Sequence, residues 1–125
     1  MKSLLALTLA IVLTSAAAAT AGQTVIYSGA HGGDFPSEPS KLKYSEGETG
    51  GQGSLKLTHL DWEKWGSGKA TSTATVKLCS ASADCFTIDG VVKAKKRVDL
   101  DTIGYYTKLA VKFGQNGIKF SLPTP

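Results

Sequence analysis

Histidine, cysteine and long apolar runs are scarce in this 125-residue chain, and each scarcity removes a class of chemistry. The two histidines, His31 and His59, stand in no ligand spacing, so a zinc site is not expected. The two cysteines, Cys79 and Cys85, are spaced C-x5-C rather than the C-x-x-C of a redox centre. Serines are plentiful, yet none lies in a G-x-S-x-G nucleophile elbow. Asp84 with Asp89, or Asp99 with Asp101, offers too few oxygen donors for a calcium cage. His59 and Asp61 share strand parity, but no serine is tied to them. No paired-carboxylate cleft is expected in so short a domain. The chain therefore carries no catalytic, cofactor or metal assignment. No apolar run reaches the roughly 20 residues of a membrane helix.

What is present at the N-terminus points to export. Met1-Lys2 supplies one positive charge, Leu4 to Leu13 an apolar core, and Ser15 to Ala21 a run of small residues. That is the order of a secretory signal peptide, with Ala19-Thr20-Ala21 as its cleavage site. Residues 1–21 are read as signal and residues 22–125 as one domain. The expected location is extracellular, or periplasmic in an organism with an outer membrane. In such a compartment Cys79 and Cys85 are expected to form a disulfide. The formal net charge of +4 is mild and includes Lys2. It permits attraction to anionic envelope polymers and is no nucleic-acid signature. Stable membrane insertion is not expected.

Alternation with period two dominates the rest. Ala70, Ser72, Ala74, Val76 and Leu78 alternate with Thr71, Thr73, Thr75 and Lys77. The small end of that strand needs a bulky filler, and Trp62 and Trp65 are nearby. Phe86 and Ile88 predict the partner strand of a disulfide-tied hairpin. Val92, Ala94, Val98 and Leu100 share one parity, while Lys93, Lys95, Arg97 and Asp99 share the other. Lys96 falls on the apolar side, which predicts a bulge or an inward charge at an edge. Asn116-Gly117 is a strong type I′ signal and predicts a turn that sets Phe113 against Phe120. Glu46 to Gly53 reads as an exposed loop. Short strands at Thr24 to Tyr27, Lys41 to Tyr44 and Leu55 to Leu57 complete the set. No segment has a helical period, so the expected fold is all-β, a single antiparallel β sandwich or small barrel.

Candidate binding residues follow from exposure and charge. Trp65 is expected in a turn ending at Gly66. Tyr105 and Tyr106 are adjacent in a strand, so one should be partly exposed. Lys93, Lys95 and Arg97 put three bases on one strand face. They read either as a site for an anionic envelope polymer or as a solvated face that resists aggregation.

The pattern Leu60-x-Trp62-x-x-Trp65-Gly66, Ala70, Ala74, Cys79, Cys85 and Tyr106-x-x-Leu109 resembles a group of small exported bacterial proteins with a W-x-x-W-G turn and a close cysteine pair. The group has no established activity. The resemblance implies export, the disulfide and an all-β domain, and lends no catalytic residue. The expected function is a secreted, non-enzymatic binding or cell-envelope protein of unknown ligand, whose partner is an anionic polymer or a secreted protein. The alternatives are an inhibitor of a secreted hydrolase, presenting the Ser80 to Asp84 or His31 to Pro39 loop, and a small extracellular hydrolase.

Overall fold

A computed structural model of the chain describes residues 23–30, 32–82 and 84–125. The expected signal segment and His31 lie outside the described residues. Seven strands are present: β1 (Thr24–Ile26), β2 (Leu42–Tyr44), β3 (Ser54–Thr58), β4 (Lys69–Cys79), β5 (Cys85–Leu100), β6 (Ile103–Phe113) and β7 (Asn116–Ser121). They form one sheet in the order β1-β6-β5-β4-β3-β2, with β7 also on β6. β5 takes one edge of β6. The other edge is shared by β1, against Gly104 to Tyr106, and β7, against Lys108 to Phe113. The β1–β6 ladder is parallel, the one departure from the antiparallel expectation.

The sheet curls into a half-barrel. The ends approach where Gly29 N–H donates to Lys43 O at 2.8 Å and Gln52 Nε2 donates to Lys119 O at 3.1 Å. Tyr44 of β2 meets Phe120 of β7 edge-on, ring centres 5.0 Å apart. The inner face holds Leu42, Leu55, Leu57, Val76, Val92, Ala94, Leu109 and Val111, all nearly inaccessible. Because Ala70, Ser72 and Ala74 line the small end of β4, space is left for the segment between β3 and β4. Trp62 and Trp65 fill it, ring centres 4.9 Å apart. Trp62 Nε1 donates to Pro39 O at 2.9 Å, and Trp65 Nε1 to Thr24 O at 3.0 Å. Trp62 thus buries its ring and Trp65 half of its own, and each keeps its N–H bonded. Gly66 at φ +96° turns the chain, and its N–H donates to the Tyr106 hydroxyl. Tyr106 in turn donates to Ser67 O at 2.7 Å. The W-x-x-W-G segment is the plug of the half-barrel.

The β4–β5 hairpin pairs Val76 with Ile88, Leu78 with Phe86 and Cys79 with Cys85. The two cysteines are bridged, with Cα atoms 4.0 Å apart. Facing strand ends bring them slightly closer than the roughly 4.4–6.8 Å usual for a disulfide.

Four expectations change. The last hairpin turns at Gly114-Gln115, pairing Phe113 with Asn116 and Leu109 with Phe120. Gly114 has φ +60° and neither Gln115 nor Asn116 is left-handed, the pattern of a type II′ turn with glycine first. The turn moves by two residues and the pairing by four, Phe120 meeting Leu109 rather than Phe113, so every side chain keeps its face. Tyr105 and Tyr106 are both buried, because Phe35 packs edge-on against Tyr105 at 5.6 Å while Tyr106 enters the core. Val98 and Leu100 are exposed rather than inward. The Glu46 to Gly53 loop is not wholly exposed, since Thr49 is buried and its hydroxyl bonds Glu46 O and Gly53 O.

Candidate functional site

A single backbone reversal decides which charges share a face. Lys96 adopts φ +56° and is skipped in a ladder that runs Lys95–Lys108 and then Arg97–Tyr106. Thr107 Oγ1 caps the exposed Lys96 O at 2.7 Å. One left-handed residue turns the side chains after it to the other face. Arg97 therefore does not join Lys93 and Lys95, which corrects the expected three-base patch. It lies opposite Tyr106, with Nε donating to Thr24 Oγ1 at 3.0 Å and Nη1 paired to Asp99 at 2.8 Å. A Cβ on Gly104 would overlap the guanidinium, so that glycine makes room for it.

Register then assembles a different set of bases. Directly opposed residues of neighbouring strands project to the same side. Lys43, Lys56 and Lys77 are opposed across β2, β3 and β4. Lys69, Lys95 and Lys108 are opposed across β4, β5 and β6. All lie on the outer face, since their neighbours Leu42, Leu57, Val76, Ala70, Ala94 and Leu109 face the core. Lys93, Lys112 and Lys119 have the same parity. Nine lysines thus share one face. Lys95 and Lys108 are half-buried and the other seven exposed. Among the described residues the only ion pair is Arg97–Asp99, so none of the nine is neutralised by a carboxylate. Asp89, opposite Thr75, is the one acid on this face of the strands before the reversal.

The arrangement costs stability. Strands lie about 4.8 Å apart, and like charges placed directly opposite are unfavourable. At ~5 Å in water a pair of unit charges repels by about 0.8 kcal/mol before salt screening. Four such pairs stand in the two rows. An anti-aggregation face does not require them to be aligned.

Over β5, β6 and β7 the face hollows into a groove of about 720 Å³. Val91, Ala110 and Gly117 form a small-residue floor, Lys93, Lys95, Lys112 and Lys119 a cationic rim, and Asn116 with Gln115 one amide-bearing end. Lysine ammonium groups act as mobile point charges, unlike the planar fork of arginine. The groove can hold anionic groups without demanding one geometry. Sequence reasoning found Lys93 and Lys95 but missed Lys43, Lys56, Lys69, Lys77, Lys108, Lys112 and Lys119. They are scattered along the chain and meet only through register.

The other candidates are placed in the scaffold. Trp65 is half-buried against Tyr106 at 5.0 Å and bonded to Thr24, and Tyr105 is covered by Phe35. Neither offers a free stacking face. His59 is exposed at φ +58° with Nδ1 3.2 Å from Thr75 Oγ1, while Asp61 is held through its N–H by Ser72 Oγ. They bond to different partners and make no catalytic pair. Among the described residues no group of three His, Cys, Asp or Glu could hold a metal ion, and no helix is long and apolar enough to cross a membrane.

A carboxylate hub closes one end of the half-barrel. Burial pushes Glu48 upward, but the Ser45 N–H, the Tyr27 hydroxyl and the Ala30 N–H all donate to it and hold it below the ordinary carboxylate value. The same hydrogen bond is the main cause that raises Tyr27. Burial raises Tyr44, whose hydroxyl donates to Tyr27 O. A Cβ on Gly29 would overlap the Glu48 carboxylate. The hub is a structural joint between the chain after β1 and the loop after β2.

Comparison with protein-family models, curated proteins and solved structures finds no match to this chain.

Proposed function

We propose that the domain is a non-enzymatic binding module that acts outside the cytoplasm and holds an anionic polymer of the cell envelope on its outer lysine face. One observation carries the reading. Nine unneutralised lysines share one face of a chain whose formal net charge is only +4, six of them in two rows that oppose stability. A bound polyanion turns those repulsions into attractions. The leader-like N-terminus supports action outside the cytoplasm, and the resemblance to small exported bacterial proteins agrees with it. The secreted hydrolase-inhibitor reading ranks second, favoured by the exposed Ser80, Ala81, Ser82 and Asp84 beside the disulfide.

The test is retention on an immobilised anionic polymer and on isolated cell wall. Wild type is expected to be retained, and replacement of Lys93, Lys95, Lys112 and Lys119 by Ser to lower retention with an unchanged far-UV spectrum. Equal retention of both proteins refutes the site. Titration against secreted proteases and lysozymes tests the second reading.

A further inference from the structure

We propose that the two lysine clusters grip a single linear polyanion, so that the ligand is a flexible chain long enough to cross the sheet rather than a small anion or a lipid headgroup. The proposal rests on the binding reading above and adds the length and chemistry of the ligand.

Lys93, Lys95, Lys112 and Lys119 line the groove, and Lys69 and Lys108, in register with Lys95, extend the first cluster beside it. The second cluster, Lys43, Lys56 and Lys77, lies outside the groove but on the same face of the same sheet. Both clusters include residues of β4, Lys69 at one end and Lys77 near the other. At about 3.3 Å per residue the separation along the strand is roughly 26 Å. Between them the outer face of β4 presents Thr71, Thr73 and Thr75, with Thr58 opposite Thr75 on β3. Hydroxyls donate to anionic or hydroxyl oxygens and bring no opposing charge. The track between the clusters is therefore polar, with Asp89 opposite Thr75 and Glu63 opposite Thr71 as its negative points.

The chemistry of the face narrows the polymer. It carries lysine and no arginine, since Arg97 is turned away, so bidentate recognition of a planar carboxylate is not built in. Before the reversal its strand positions carry no aromatic ring, and Tyr105 beyond it is covered by Phe35. Phe86, the exposed aromatic, has the core parity, opposite Leu78. Single-stranded nucleic acids are held by base stacking on aromatics, and that element is missing from these strands. Point charges joined by a hydroxyl track fit a flexible phosphate-bearing backbone. Joining two sites by one ligand converts the second contact into an intramolecular one, which raises affinity by a factor of about 10²–10⁴ when the linker spans them.

The test uses inorganic polyphosphate as the probe. Tripolyphosphate is far shorter than the separation and long-chain polyphosphate exceeds it. Affinities are measured at fixed ionic strength for wild type, for K56S/K77S, and for K64S/K96S, which removes the same charge elsewhere. Wild type and K64S/K96S are expected to bind the long chain at least tenfold more tightly, per chain, than K56S/K77S does. All three should bind tripolyphosphate equally. If K56S/K77S keeps the full advantage of the long chain, the two-cluster proposal fails while the groove reading stands. If neither probe binds wild type, both fail. If wild type binds phosphatidylglycerol vesicles and no soluble long chain, the ligand is a membrane surface and the proposal is overturned.

Discussion

Lys56→Glu separates a functional lysine row from a merely solvated one. Lys56 stands between Lys43 and Lys77, with no acid in the row. The substitution turns two opposed like-charge pairs into two opposed unlike pairs. A cross-strand charge pair is worth roughly 0.2–1 kcal/mol, so the exchange should stabilise the domain by about 1 kcal/mol at low salt. In a domain of this size that raises the thermal midpoint by ~4–8 °C. In 1 M salt the Debye length falls to about 3 Å and most of the gain should vanish. The assay is thermal unfolding at low and high salt, beside retention on an anionic polymer. The expected variant is more stable and binds more weakly. A variant that is no more stable at low salt, or binds polyanion as well as wild type does, refutes the reasoning.

Replacing both cysteines by Ala should cost about 2 kcal/mol, the chain-entropy value for so short a closed loop, read from the denaturation midpoint. Trp62→Ala should cost ~3–5 kcal/mol, because it empties the plug of the half-barrel and orphans Pro39 O, while Trp65→Ala should cost less because its ring is only half-buried. Glu48 is held below its ordinary value of 4.5, so its contribution to stability is present above that pH and lost as the pH falls through the lowered folded-state value. Glu48→Gln should therefore flatten the acid limb of the stability profile measured by urea unfolding. Arg97→Ser should lower stability by removing the bond to Thr24 yet leave retention on an anionic column unchanged.

Period-two alternation made the fold class legible, because a half-buried strand must show apolar residues at every second position. The small-residue face of Ala70 to Ala74 called for a bulky filler, and Trp62 with Trp65 supplies it. The paired cysteines were legible too, since facing strand ends suit a bridge. The turn at Gly114 was not, because an even slip, here of four residues in the pairing, leaves every side chain on its face and the pattern cannot distinguish the registers. At Lys96 the charge on the apolar side marked a break, expected as a bulge or an inward charge, but not the left-handed backbone that makes it. A left-handed lysine has no sequence signature, yet it sends Arg97 inward and exposes Val98 and Leu100. The lysine face was legible only at Lys93 and Lys95. Lys43, Lys56 and Lys77 belong to three strands, and their alignment is a property of strand pairing.

If the outer lysine face binds polyanions through its charges, that binding must weaken steeply with salt. The measurement is the slope of log affinity against log salt for long-chain polyphosphate, with wild type and with Lys93, Lys95, Lys112 and Lys119 replaced by Ser. Each lysine that neutralises an anionic group releases counterions, so wild type should show a steep negative slope and the variant a clearly shallower one. Identical slopes for the two proteins, or an affinity independent of salt, would contradict the account.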